Sequence, residues 1–110
     1  MDTVRKPTHL TQDAMRAVLR AIGSSGLQAA MQAWAAGDRP SNFHKFRRAR
    51  SWVVLDSQGQ EYPHRPLVAL ACELAGQPVL DPNNFGLPND EVCKEWLDQV
   101  QIEWGPVSAV

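Results

Sequence analysis

The sequence predicts an α+β fold: a small, helix-rich single domain in the order α-α-β-β-α-α, with one short antiparallel hairpin. Three observations predict it. Apolar residues recur at three- and four-residue spacing in four segments. A β-branched and aromatic run, "SWVVLD", interrupts them midway, and like elements follow one another instead of alternating. With 110 residues, 44% of them hydrophobic and 21% charged, the chain suits one domain around a single modest core.

Each element follows from local sequence. Residues 1–9 read as a loose arm. Thr11 is placed to cap the first helix, and Asp13 sits in its first turn, where negative charge meets the positive end of the helix dipole. Ala14, Met15, Val18, Leu19 and Ile22 form the apolar face, and Gly23 ends the run. Ser24 or Ser25 then starts a second helix with Leu27, Ala30, Met31 and Trp34 on one face and Gly37 as its stop. So short a separation predicts an antiparallel or steeply crossed pair. "GDRPSNF" is a turn-rich connector. "SWVVLD" and "EYP", either side of "SQGQ", predict the hairpin, which Pro63 ends because proline has no N–H for the ladder.

Pro66 falls in the first turn of a third helix, where proline is tolerated. Leu67, Leu70, Ala71 and Leu74 make its apolar face, and Gly76 closes it. Phe85 is expected to anchor the proline-punctuated loop "QPVLDPNNFGLP" in the core. Asn89 is expected to cap the last helix, which turns Val92, Cys93, Trp96, Leu97 and Val100 inward. "IEW" offers a third, C-terminal strand. The folded core is thus expected over 10–104, with 105–110 as a frayed tail.

Several function classes lose their basis here. No stretch approaches the ~20 apolar residues of a membrane span, and the N-terminal residues lack the apolar run of a signal peptide. The expectation is no membrane partner and a place in the cytoplasm of a cell. Cys72 and Cys93 each lie in an apolar helix face and lack paired C-x-x-C spacing, so both read as reduced, small core hydrophobes. His9, His44 and His64 are scattered, and no nucleophile-elbow, phosphate-loop, dinucleotide or zinc-protease motif is present. An enzyme is therefore not expected, nor a metal or other cofactor.

Charge is distributed unevenly. The net charge is −1, yet residues 39–55 contain Arg39, Lys45, Arg47, Arg48 and Arg50 with no acid. Residues 66–110 carry seven acids against Lys94 alone. Such a dipolar chain can take an anionic partner at one end, pair its own halves, or contact a second copy as a homodimer. Four tryptophans exceed what the core of so small a domain needs, so at least one is expected at a contact surface.

The basic run "HKFRRARSW" is the strongest chemical feature. Lys45, Arg47, Arg48 and Arg50 can neutralise phosphates, and the interleaved Phe46 and Trp52 can stack on bases or guanidinium groups. The same run also fits a protein-docking patch or a solvated connector whose aromatics plug the core. A second candidate is the junction "EYPHRPLVALA". There Tyr62 can bury its ring while its hydroxyl finds a polar partner, and His64 and Arg65 flank a helix N-terminus, a place that favours anions. On the last helix, Asp90, Glu91, Glu95 and Asp98 form a polar face suited to solvation, or alternatively to acidic docking on a partner protein.

The span from "ARSWVVLDSQGQEYPHRPLVALACELAG" through "LDPNNFG" to "EWLDQVQIEW" resembles the N-terminal head domain of ScoMcrA-like modification-dependent restriction endonucleases. Ala49-Arg50, Tyr62-Pro63, Ala69, Ala71 and Phe85 carry the likeness, with Gly26 and the helix after it matching the leading portion. The likeness covers roughly residues 14–104. Where that family has Lys after Tyr-Pro, this chain has Arg65 followed by Pro66. The resemblance implies a prokaryotic, defence-related, DNA-associated role. The partner would be DNA or a nucleic-acid-handling protein complex, and the nuclease and modified-base-reading domains have no counterpart in these residues. The alternative, drawn from small size and acidic C-terminal half, is a phage- or mobile-element-encoded inhibitor. It would act in the anti-CRISPR or anti-restriction manner, docking on a defence nuclease.

Overall fold

Thr11 starts the first helix as its side chain allows: Oγ1 accepts the Ala14 N–H at 3.0 Å. The structure, a computed structural model, describes residues 10–49 and 51–108, with the backbone alone at Leu87. The arm expected at 1–9, Arg50, and the last two residues of the expected tail lie outside the described residues. Helix α1 (Gln12–Ala35) holds both expected N-terminal helices. A single residue, Gly23 at φ 71° and ψ 170°, separates them, at the position expected to end the first. A side chain there would be strained, so glycine turns the chain at little cost. Met15, Leu19 and Ile22 before the kink and Leu27, Ala30 and Met31 after it are all buried.

Strands β1 (Trp52–Leu55), β2 (Glu61–Pro63) and β3 (Trp104–Pro106) form one antiparallel sheet in the order β2-β1-β3. Val54 pairs with Tyr62 on one side and Trp104 on the other. Asp56 organises the hairpin turn: its Oδ1 accepts the N–H groups of Gln58 and Gln60, both at 2.9 Å. Its Oδ2 accepts the Tyr62 hydroxyl at 2.8 Å, so the tyrosine buries its ring and satisfies its oxygen as expected. The Gln60 N–H bond, aided by those from Tyr62 and Gln58, holds the Asp56 carboxyl below its ordinary pKa.

The third strand corrects the expected C-terminus. Its span, Trp104–Pro106, is shifted two residues from "IEW" and shares Trp104 with it, and the Val107 N–H donates to the Ser51 carbonyl at 3.2 Å. Residues 105–107, expected to fray, therefore hold the free edge of β1. The tail pairs because β1 would otherwise leave a row of backbone groups unmatched.

Helix α2 (His64–Leu74) follows β2 directly and buries His64 and every residue from Pro66 to Cys72. Leu74, expected on the apolar face, is 54% exposed because the last turn overhangs the core. Gly76, at φ 71°, closes the helix as Gln77 N–H returns to the Cys72 carbonyl at 2.8 Å. A 3-10 turn (Pro82–Phe85), capped by Asp81, then drives Phe85 fully into the core.

Helix α3 (Leu87–Gln99) starts before the expected cap. Asn89 is not a cap but a buried clamp: its Nδ2 donates to the carbonyls of Leu10 and Asn84, both at 2.8 Å. These bonds satisfy backbone groups that burial would otherwise leave unpaired. Helix α1 packs on both α2 and α3. The Cys72 and Cys93 thiols are free and buried, and desolvation pushes each pKa up to about 12, so they behave as core hydrophobes. No helix among the described residues is long and apolar enough to cross a membrane.

Candidate functional site

The connector after α1 is pinned before it reaches the basic run. The Ser41 N–H and hydroxyl donate to Glu73 Oε2 at 2.8 and 3.0 Å, and Asn42 Nδ2 donates to the Leu80 carbonyl at 2.9 Å. A 3-10 turn (Phe43–Lys45) follows, and Phe46 then turns inward, edge-on to Phe85 with ring centroids 6.2 Å apart. With Phe46 anchored, Lys45, Arg47 and Arg48 stay exposed.

Opposite them lies the β2–α2 junction, where Pro63 and Pro66 flank His64 and Arg65. Between the two sides is a cleft of about 420 Å³. Lys45, Arg47 and Arg48 border it on the connector side, Arg65 on the helix side, and Phe46, Pro63, Pro66 and Pro82 supply apolar wall.

Asp90, 6% exposed, locks the helix side of the cleft. Its Oδ1 lies 3.1 Å from His64 Nε2, and its Oδ2 accepts from Arg65 Nη2 at 2.7 Å. Burial alone would raise this carboxyl's pKa. The hydrogen bonds from His64 and Arg65, with their charges, outweigh burial and hold it below the ordinary value. His64 moves down as well: burial disfavours the imidazolium, the Arg65 charge adds to this, and the Asp90 bond only partly opposes them. The ring stacks on Trp52 at 3.7 Å and 18°, and meets Phe85 edge-on at 6.4 Å.

Lys45, Arg47, Arg48, His64 and Arg65, which the sequence offers as two separate candidates, thus meet at one cleft. Three expected roles need correction. Trp52, the first residue of the central strand, is only 4% exposed and lies against His64, so it cannot stack on a ligand. Tyr62 is equally buried and borders a different groove, of about 650 Å³, beside Asp56 and Glu103, whose charges repel phosphate. Asp90 leaves the acidic docking face, because it lies beneath Arg65 instead of facing solvent. Arg50 lies outside the described residues.

The rest of the acidic face has partners: Glu91 with Lys94 at 3.4 Å, Glu95 with Arg16 at 3.7 Å, and Asp98 accepting from Trp104 Nε1 at 2.9 Å. By contrast, no carboxylate among the described residues pairs with Lys45, Arg47 or Arg48. The wall prolines were not legible as part of a site, since each has an adequate local reason at a strand end, helix start or turn.

The His64–Asp90 pair is poorly placed for proton transfer to a bound molecule. Nε2 is engaged by Asp90, and Nδ1 is buried, facing the Trp52 main chain without reaching hydrogen-bond geometry. Among the described residues, no group of three His, Cys, Asp or Glu side chains could hold a metal ion. The fold and cleft define a small α+β domain with a basic, proline-walled recess. No protein-family model, no curated protein and no solved structure matches the chain.

The buried pair sets a pH dependence. His64 has a lowered folded pKa, so below about 6.5, its unfolded value, the unfolded chain takes up a proton that the folded chain refuses. Asp90, also lowered, repeats this below its ordinary 3.8. Stability is therefore full above the unfolded histidine value and falls as pH drops. Urea midpoints measured from neutral to mildly acid pH should decline, and a His64→Gln variant should flatten the upper part. An unchanged slope in that variant would assign the decline to other groups.

Proposed function

We propose that this chain is a non-catalytic binding domain associated with DNA in restriction-type prokaryotic defence, contacting phosphates through Lys45, Arg47, Arg48 and Arg65. The observation that carries the reading is the set of three exposed cations, Lys45, Arg47 and Arg48, on one lip of a cleft, without carboxylate partners among the described residues. Unpaired cations on one surface bind a polyanion by releasing its counterions. The likeness of residues 14–104 to restriction-enzyme head domains supports DNA as that polyanion.

Fluorescence anisotropy with labelled DNA at low and physiological salt tests it. Binding should weaken steeply with salt. The Arg47→Ala/Arg48→Ala double variant should bind on the order of 10- to 100-fold more weakly, with a shallower salt slope. No binding at low salt, or binding unchanged in the double variant, overturns the reading. The alternative, an inhibitor docking on a defence nuclease through Asp90, Glu91, Glu95 and Asp98, has less support. Asp90 is inside, and the other three already hold partners within the chain.

A further inference from the structure

We infer that the cleft takes a single nucleic-acid strand in preference to a duplex. This rests on the phosphate reading above and adds the base to it. The cleft combines two chemistries: cations at its lips and flat apolar groups, Phe46 with Pro63, Pro66 and Pro82, in its walls. Its volume, about 420 Å³, is that of a recess for a small ligand such as one nucleotide.

A duplex presents phosphates on a convex surface and keeps its base faces inside the stack. It would meet the lip cations and leave the apolar recess empty. A single strand has free base faces, and every base can lie against an apolar or aromatic surface regardless of sequence.

A second stacking surface lies on the same connector. Phe43 opens the turn that carries Lys45 and is 40% exposed. Its ring meets Trp34 edge-on at 5.5 Å and 88°, and the Arg39 guanidinium covers Trp34 at 3.9 Å. Phe43 is thus braced in place, two residues from the first lip cation and next to a further positive charge. Aromatic and basic groups so interleaved along one segment match a strand whose bases and phosphates alternate. A peptide of acidic residues alone, such as polyglutamate, would use the cations but has no flat rings for Phe43.

Anisotropy with four labelled probes tests this: short oligothymidine and oligouridine strands, a DNA duplex of equal length, and an abasic strand with the same phosphates. The two base-bearing strands should bind on the order of tenfold more tightly than the duplex, and the abasic strand should fall to the duplex level. The arms also separate DNA from RNA, since either strand sustains the inference. Phe43→Ala should weaken strand binding roughly 5- to 30-fold and leave duplex binding and the salt slope alone.

Duplex or abasic binding as tight as the strands, or a polyglutamate peptide competing as well as oligothymidine, overturns the inference while the phosphate reading survives. Binding to none of the nucleic acids overturns both. Should Phe43→Ala prove unfolded by circular dichroism, the abasic probe still decides.

Discussion

An Asp90→Ala variant is expected to lose about 3 kcal/mol of stability in urea unfolding. The substitution leaves an imidazole and a guanidinium facing a hole. His64, itself buried, loses the acceptor of its Nε2, and Arg65 loses a 2.7 Å charge-assisted bond. The Arg65 side chain is 39% exposed, so water recovers part of its loss, which places the figure at the low end for a broken buried pair. Asp90→Asn keeps the shape and one acceptor oxygen and should lose roughly half as much. A loss below about 1 kcal/mol for alanine would mean that the pair is solvated and does not brace the junction.

The same variant separates fold from binding. It frees the Arg65 guanidinium and removes the one negative charge that borders the cleft among the described residues. Affinity for a polyanion should hold or rise while stability falls, the opposite of the Arg47→Ala/Arg48→Ala result.

Phe85→Ala is expected to lose more, about 3 to 5 kcal/mol, with an unchanged dependence on denaturant. The ring has no exposed surface, and deleting it opens a cavity that the surrounding rings can fill only partly. It also meets Phe46 and His64 edge-on, so the cleft loses support on both sides at once. Phe85→Leu should retain about half of the loss-prone packing. A penalty under about 2 kcal/mol for alanine would show that the connector and α2 repack over the gap.

What the sequence made legible was local. The Thr11 cap, the Gly76 stop, the Tyr62 hydroxyl partner and the Phe85 anchor all rest on signals within a few residues. The clamp from Asn89 to the Leu10 carbonyl and the lock from Asp90 to His64 and Arg65 bridge distant parts of the chain. Asn and Asp at the start of a helix have sufficient local reasons to be there, so the long-range role leaves no trace in one sequence. Trp52 reads two ways in the sequence, as a stacking surface or as a plug for the core, and only the fold decides between them. An aromatic beside arginines suits a stacking surface, whereas in a central strand it is flanked on both sides and goes inside. The basic lip was legible as charge, but its apolar walls came from three separate segments.

The sheet edges have a consequence for association. The outer strands β2 and β3 are three residues long, and each ends in a proline, Pro63 and Pro106. Each edge thus has few amide hydrogens to offer, and its last residue has none. A visiting strand finds too little ladder to register on, which guards against edge-to-edge polymerisation. If two copies do associate, the sheet is the least suited surface for it, and the domain can hold its cleft at high local concentration without nucleating fibres.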